Sequence, residues 1–174
     1  MTARASSRRV IGEIGQTRRR PAKRARRLAG QAGGGTFQHI LVPIDLSDRN
    51  ARTLRTALAL AVQSRARVTL LHVVQEVVSI PPREIRPFYQ RLLAASRRRL
   101  AKAARSFAAQ GLAVQTKVFV GEPAREIVRL TGAAKIDLVV MGSHKIDPAD
   151  RGQAWGTTSY KVGIFCQCPI LLVK

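Results

Sequence analysis

The chain predicts an α/β domain: a doubly wound, five-stranded parallel sheet of the Rossmann-like or flavodoxin-like kind, with helices on both faces, preceded by a disordered basic N-terminal arm. Three observations carry this. From Phe37 onward, short apolar runs rich in β-branched residues alternate with longer segments of helical period. Some of these runs, such as residues 136–141, are nearly unbroken in their apolar character, as in strands covered on both faces. Glycine and proline punctuate the joints. Strict β-α alternation of this kind implies parallel strands joined by right-handed crossovers.

Phe37 to Pro43 reads as the first buried strand. Ser47 or Asp48 is placed to cap a helix whose apolar positions are Leu54, Ala57, Leu58, Ala61 and Val62. Val68 to Val74 is the second strand. Pro81, Pro82 and Pro87 open a long helix with Phe88, Leu92, Ser96, Leu100, Ala103 and Phe107 along one face, and Gly111 ends it. Leu112 to Val120 alternates as a strand does. Gly121-Glu122-Pro123 starts a third helix with Ala124, Ile127, Val128 and Thr131 inward, stopped by Gly132. Ile136 to Met141 is the fourth strand, residues 142–156 form a loop, a short helix spans Thr158 to Phe165, and Pro169 to Val173 is the last strand.

Residues 1–35 differ in kind. They hold ten of the Lys and Arg residues against Glu13 alone, so the arm carries +9 of the net +21 and the remainder carries +12. The arm has no sustained apolar period and ends in a glycine run, so it cannot bury enough surface to offset its ordering entropy. The domain organisation is therefore an arm over 1–35 and one domain over 36–174. So much positive charge favours weak, non-specific association with nucleic acid through the arm. No apolar run reaches the length of a membrane span, which argues against membrane partners. Two cysteines, Cys166 and Cys168, fit a reducing compartment, and a cytoplasmic location is expected.

In an open α/β sheet, ligands bind beyond the carboxyl ends of the strands at the point where strand order reverses. That rule selects Pro43-Ile44-Asp45 after strand one, Val73 at the end of strand two, and Met141-Gly142 with His144 and Lys145 after strand four. Gly156, Thr157 and Thr158 open the last helix with unpaired N–H groups, hydroxyls and a positive dipole end, which suits a phosphate. Asp45 can hydrogen-bond ribose or adenine while the glycine loop holds phosphates.

Several of these segments, taken in order, resemble universal stress proteins: Ile40-Leu41-Val42-Pro43-Ile44-Asp45, Leu70-Leu71-His72-Val73, Gly121-Glu122-Pro123-Ala124, Val139-Val140-Met141-Gly142-Ser143-His144 and Cys168-Pro169-Ile170-Leu171-Leu172-Val173. The likeness runs from about Phe37 to Lys174. It implies a stress-response protein, often a homodimer paired through the last strand, with ATP or a related adenine nucleotide as candidate ligand and Mg²⁺ as its candidate companion. It also places Asp45 at the ribose and Val73 at the adenine. Nucleotide-binding members carry Gly, two residues, Gly, nine residues, then Gly-Ser/Thr. Here Gly142 matches the first glycine and Gly156-Thr157 the closing pair, but Lys145 stands at the second glycine and ten residues follow it. The alternative is a nucleotide-free member acting through protein or nucleic-acid partners by way of its basic arm.

The remaining residues read as structural. His72 and His39 are expected to be core or packing histidines, Trp155 a loop anchor, Arg97-Arg98-Arg99 a solvated face, and the two cysteines packing residues. No catalytic set or metal-ligand cluster stands at a persuasive spacing, so the expectation is a binding protein with at most weak nucleotide hydrolysis, without catalytic residues or a metal site.

Overall fold

A computed structural model describes residues 35–76, 82–143 and 157–174. Five parallel strands stand in the order β3-β2-β1-β4-β5. They are β1 (His39–Pro43), β2 (Arg67–Gln75), β3 (Val114–Gly121), β4 (Leu138–Gly142) and β5 (Ile170–Val173), joined by α1 (Asn50–Ser64), α2 (Pro82–Ala109), α3 (Pro123–Ala133) and α4 (Thr158–Phe165). The doubly wound expectation holds, and the observed order is the Rossmann-like one, with its reversal between β1 and β4.

Side chains of β1 alternate between two cores. Ile40 and Val42, with Ile44 just past the strand, face α1 and α2, together with Ala57, Ala61, Leu100, Phe107, Leu138 and Val140. Leu41 faces α3 and α4, with Ile127, Leu130, Val139, Met141 and Val162. All five residues of β1 are buried, because it is the central strand with a helical layer on each side. The outer strand β3 buries none of its residues fully, and Val120 is exposed where the alternating pattern puts it inward.

Several helix details differ from expectation. Arg49, not Ser47 or Asp48, is the N-cap of α1, and it offers no side-chain cap bond. The turn is closed instead by the Asn50 and Ala51 N–H groups on the Ser47 and Asp48 carbonyls. The buried face of α1 is Asn50, Thr53, Ala57, Ala61 and Ser64, while Leu54 and Leu58 only flank the core and Val62 is 44% exposed. Small residues on the inner face let the helix lie close to the sheet. On α2, Ser96, Leu100 and Phe107 are buried as expected, but Phe88 is 53% exposed. Gly111 follows that helix at φ 74°, a left-handed conformation that glycine adopts without strain. In α3 the helix continues through Gly132 to Ala133, and Leu130 takes the inward position expected of Val128. Its start is as expected: the Glu122 carboxylate accepts from the Arg125 N–H at 2.6 Å, with Pro123 in the first turn.

Two polar residues fasten the centre. The Asp137 carboxylate, just before β4, accepts from the backbone N–H groups of Gln38 (2.7 Å) and His39 (3.0 Å), and the Asp137 N–H returns a bond to the His39 carbonyl at 3.1 Å. His39 is buried and structural, as expected. Its Nδ1–H donates to the Ala134 carbonyl at 3.1 Å, which leaves Nε2 to pair with the Thr69 hydroxyl at 2.8 Å. Burial, aided by Arg67, holds its imidazole below the ordinary histidine pKa, so the neutral ring is the native form.

Asp137→Ala removes both acceptors and strands a partly buried N–H, at a cost of about 1–3 kcal/mol. Urea unfolding is expected to show a lower midpoint at unchanged slope, and an unshifted midpoint would mean that this carboxylate does not hold β4 to β1.

Candidate functional site

The parallel register brings the strand ends into one line. Pro43 pairs with Leu71, Val73 with Phe119, and Gly142 with Val173. Just beyond them lies a cleft of about 780 Å³. Its walls include Pro43, Ile44, Asp45, Val73, Met141, Gly142, Thr157 and Thr158. Eight of the residues singled out from sequence therefore meet in one cavity at the switch point. His144, Lys145 and Gly156 lie outside the described residues, as do Asp147, Asp150 and Trp155, and as does the expected arm as far as residue 34.

The chain after β1 is held in a defined turn. Asp45 Oδ1 accepts from the Ser47 N–H at 2.8 Å and from the side-chain amide of Asn50. Asn50, itself buried, also donates to the Ser47 carbonyl at 2.9 Å. Leu46 follows at φ 63°, an uncommon conformation for a branched side chain. Its carbonyl accepts from the Arg99 guanidinium at 3.2 Å, so α2 reaches across to brace the turn. The exposed Asp45 carboxylate thus stands on a preorganised support at the mouth of the cleft.

On the opposite side, Thr157 caps α4. Its hydroxyl oxygen accepts from the Tyr160 N–H at 3.3 Å and lies 3.4 Å from that of Ser159. The first turn of any helix has N–H groups without intrahelical acceptors. Those of α4 open beside hydroxyls, which makes this end fit for anionic oxygen. Gly142 lies close to α1: a Cβ there would stand 3.3 Å from Thr53 Oγ1 on the first turn of that helix, a tight contact that the threonine side chain would have to ease.

Sequence reasoning passed over several lining residues. His72 is one: it is half-buried and lines the cleft, in place of the core role expected for it. Its Nδ1–H donates to the Ile44 carbonyl at 2.9 Å, which ties β2 to the turn that carries Asp45. Arg49, Arg52 and Lys174 are others, so the charged side chains among the described lining are three cations against one carboxylate. Arg52 also donates to the Lys174 backbone carbonyl, joining α1 to the end of β5. The helix that follows strand one in a doubly wound sheet starts at the ligand edge, so the Arg49/Arg52 spacing was a readable signal. No group of three or more His, Cys, Asp or Glu among the described residues is arranged to hold a metal.

A sequence model of the universal stress protein family matches residues 36–174, so this chain belongs to that family. The universal stress protein YxiE of Bacillus subtilis is 30% identical over 148 residues, covering 79% of this chain and 99% of the relative. Two solved structures share the fold at lower identity. One is a universal stress protein in complex with cAMP, 22% identical, with a TM-score of 0.59 over 79% of this chain and 97% of that one. The other is the universal stress protein from Archaeoglobus fulgidus in complex with dAMP, 20% identical, with a TM-score of 0.58 over 79% and 98%. No helix among the described residues is long and apolar enough to cross a membrane.

Proposed function

We propose that this universal stress protein binds ATP or a related adenine nucleotide in the cleft at the β1/β4 switch point. The observation that carries the reading is the pairing of a fixed carboxylate, Asp45, with a hydroxyl-rich helix N-terminus across one cavity. Ribose or base hydroxyls and amines suit the first, and phosphates suit the second. The excess of cations over carboxylates in the lining favours an anion. At the level of fold, the neighbours described with cAMP and dAMP agree with adenine as the base. Lys145, which stands where the family pattern has glycine, acts as a charged substitute on the phosphates, with Mg²⁺ as their candidate counter-ion. The role is one of binding, with any nucleotide hydrolysis weak.

Calorimetry with ATP on the wild type, Asp45→Ala, Lys145→Ala and Lys145→Gly separates these parts. Loss of a charge-assisted contact costs about 1.5–3 kcal/mol, so the first two variants are expected to bind roughly tenfold more weakly or worse. Lys145→Gly restores the family residue without the charge. If it binds more tightly than the wild type, the lysine obstructs the site. If only Lys145→Gly binds, the native chain has lost its nucleotide.

A second reading concerns partners. Arg91, Arg98, Lys102 and Arg105 recur along the exposed face of α2, over about 21 Å of helix, and residues 86–109 contain no acid. This acid-free stripe, together with the basic arm, suits non-specific contact with nucleic-acid phosphates. Exposed Leu171 and Leu172 on β5, an edge strand, suit pairing with a second copy. Sedimentation of the chain alone is expected to give a homodimer, and addition of duplex DNA a complex that dissociates steeply as salt rises. A monomer at high concentration removes the pairing proposal. A salt-independent complex, or none, removes the other.

A further inference from the structure

The two cysteines do more than fill space. Cys166 follows the last turn of α4, its N–H bonded to the Val162 carbonyl at 2.9 Å. Cys168 precedes Pro169, whose carbonyl accepts from the Val139 N–H at 3.0 Å as the chain joins the sheet. Both pack against the α3–α4 core and both keep some solvent contact. Their sulfurs lie 3.3 Å apart as free thiols. Cys166 Sγ also lies 3.8 Å from the hydroxyl of the buried Thr131, whose proton is given to the Val128 carbonyl at 2.7 Å. That hydroxyl is therefore an acceptor facing Cys166.

We propose that Cys166 and Cys168 are a redox modification site, closing to a reversible intramolecular disulfide when they meet a hydroperoxide. The geometry allows it. Residues two apart along a chain are at most about 7 Å apart between Cα atoms. Disulfides use about 4.4–6.8 Å, so the two ranges overlap. Extended backbone at Cys166 (ψ 138°) already brings both sulfurs to the same side. Closing from contact to the bonded distance of about 2.05 Å asks for side-chain rotation within one corner of the fold.

The two thiols divide the work. Burial and the hydrogen bond with Cys166 push the Cys168 thiol up to about 12, so it stays protonated at neutral pH. In this proposal the first attack is assigned to Cys166, with Cys168 Sγ, 3.3 Å away, placed to resolve it. The Cys166 thiolate forms an S–O bond as the peroxide O–O bond breaks, and the departing alkoxide takes a proton and leaves as an alcohol, or as water from hydrogen peroxide. Cys168 next attacks the Cys166 sulfenic acid. The S–S bond forms, the S–O bond breaks, and hydroxide leaves as water with the Cys168 proton. The thiol pair gives up two electrons and the peroxide accepts them. The product joins the end of α4 to the start of β5, the two elements that line one side of the cleft and form one edge of the sheet.

The test is intact-mass and tandem mass spectrometry of the full native chain, alkylated before and after sub-millimolar hydrogen peroxide, with Cys166→Ser and Cys168→Ser treated alike. The expected result is loss of both alkylatable thiols and of two hydrogen masses, with a crosslink within one peptide that a dithiol reverses. The Cys168→Ser chain should stop at a Cys166 sulfenic acid that dimedone traps. Both thiols remaining alkylatable, oxygen added to either cysteine without the crosslink, or only intermolecular disulfides would overturn the proposal. The wild-type measurement alone decides, so a variant that folded poorly would not rescue or sink it.

Discussion

Everything in this domain hangs on the parallel pairing of β1 with β4. The contact is short, with Ile40 opposite Leu138 and Leu41 opposite Val139, yet it is where the order of the sheet reverses. A reversal leaves the two following connections on opposite faces, so a gap opens beyond the strand ends. The Asp137 carboxylate, bonded to two N–H groups at the start of β1, fixes this pair from below. A partly buried N–H left without a partner costs more than a screened surface ion pair contributes, which makes one carboxylate here more consequential than the surface ion pairs. Those are Arg129 with Glu126 and Lys161 with Glu122 among the described residues, and solvent screens both.

The pairing below determines the chemistry above. With β1 and β4 in register, Asp45 and Gly142 emerge on either side of the same gap, and α4 returns its N-terminus to it. Each side is then made rigid by local bonds: Asn50, Ser47, His72 and Arg99 around the Asp45 turn, Thr157 at the helix cap. Such preorganisation lowers the cost of ordering a ligand site on binding. The chain spends a positive φ at Leu46 to make the turn, and strained backbone of that sort concentrates at functional sites.

Much of this was legible in the residues. Unbroken apolar runs and their alternation with helical segments located every strand to within a few residues, and the switch-point rule found Asp45 and Gly142 without knowledge of strand order. The helix faces were harder. On α1 the expected face of Leu54, Ala57, Leu58, Ala61 and Val62 is right at Ala57 and Ala61, which are fully buried, but the rest of the inner face is Asn50, Thr53 and Ser64, polar residues in place of the larger apolar ones. Giving the leucines equal weight with the alanines centres the face to one side of Ala57 and Ala61, by part of one residue's rotation of roughly 100°. The same error hid Asn50, whose buried amide holds Asp45. The sulfur contact was hidden for another reason. Cysteines two apart touch only when the backbone between them has the right dihedral angles, and a helix-to-strand corner does not announce those in its composition.

A chain of net charge +21 will attract ATP by charge alone, so affinity by itself cannot locate the ligand. Amide chemical-shift mapping can. Titrating labelled protein with ATP at moderate salt is expected to move the amides of Asp45, Val73, Gly142 and Thr157 to Ser159 together, with one saturating affinity. The same titration with tripolyphosphate should leave Asp45 and Val73 in place. Shifts confined to the arginine stripe of α2 or to residues 1–34, with the cleft amides unmoved, would contradict the account.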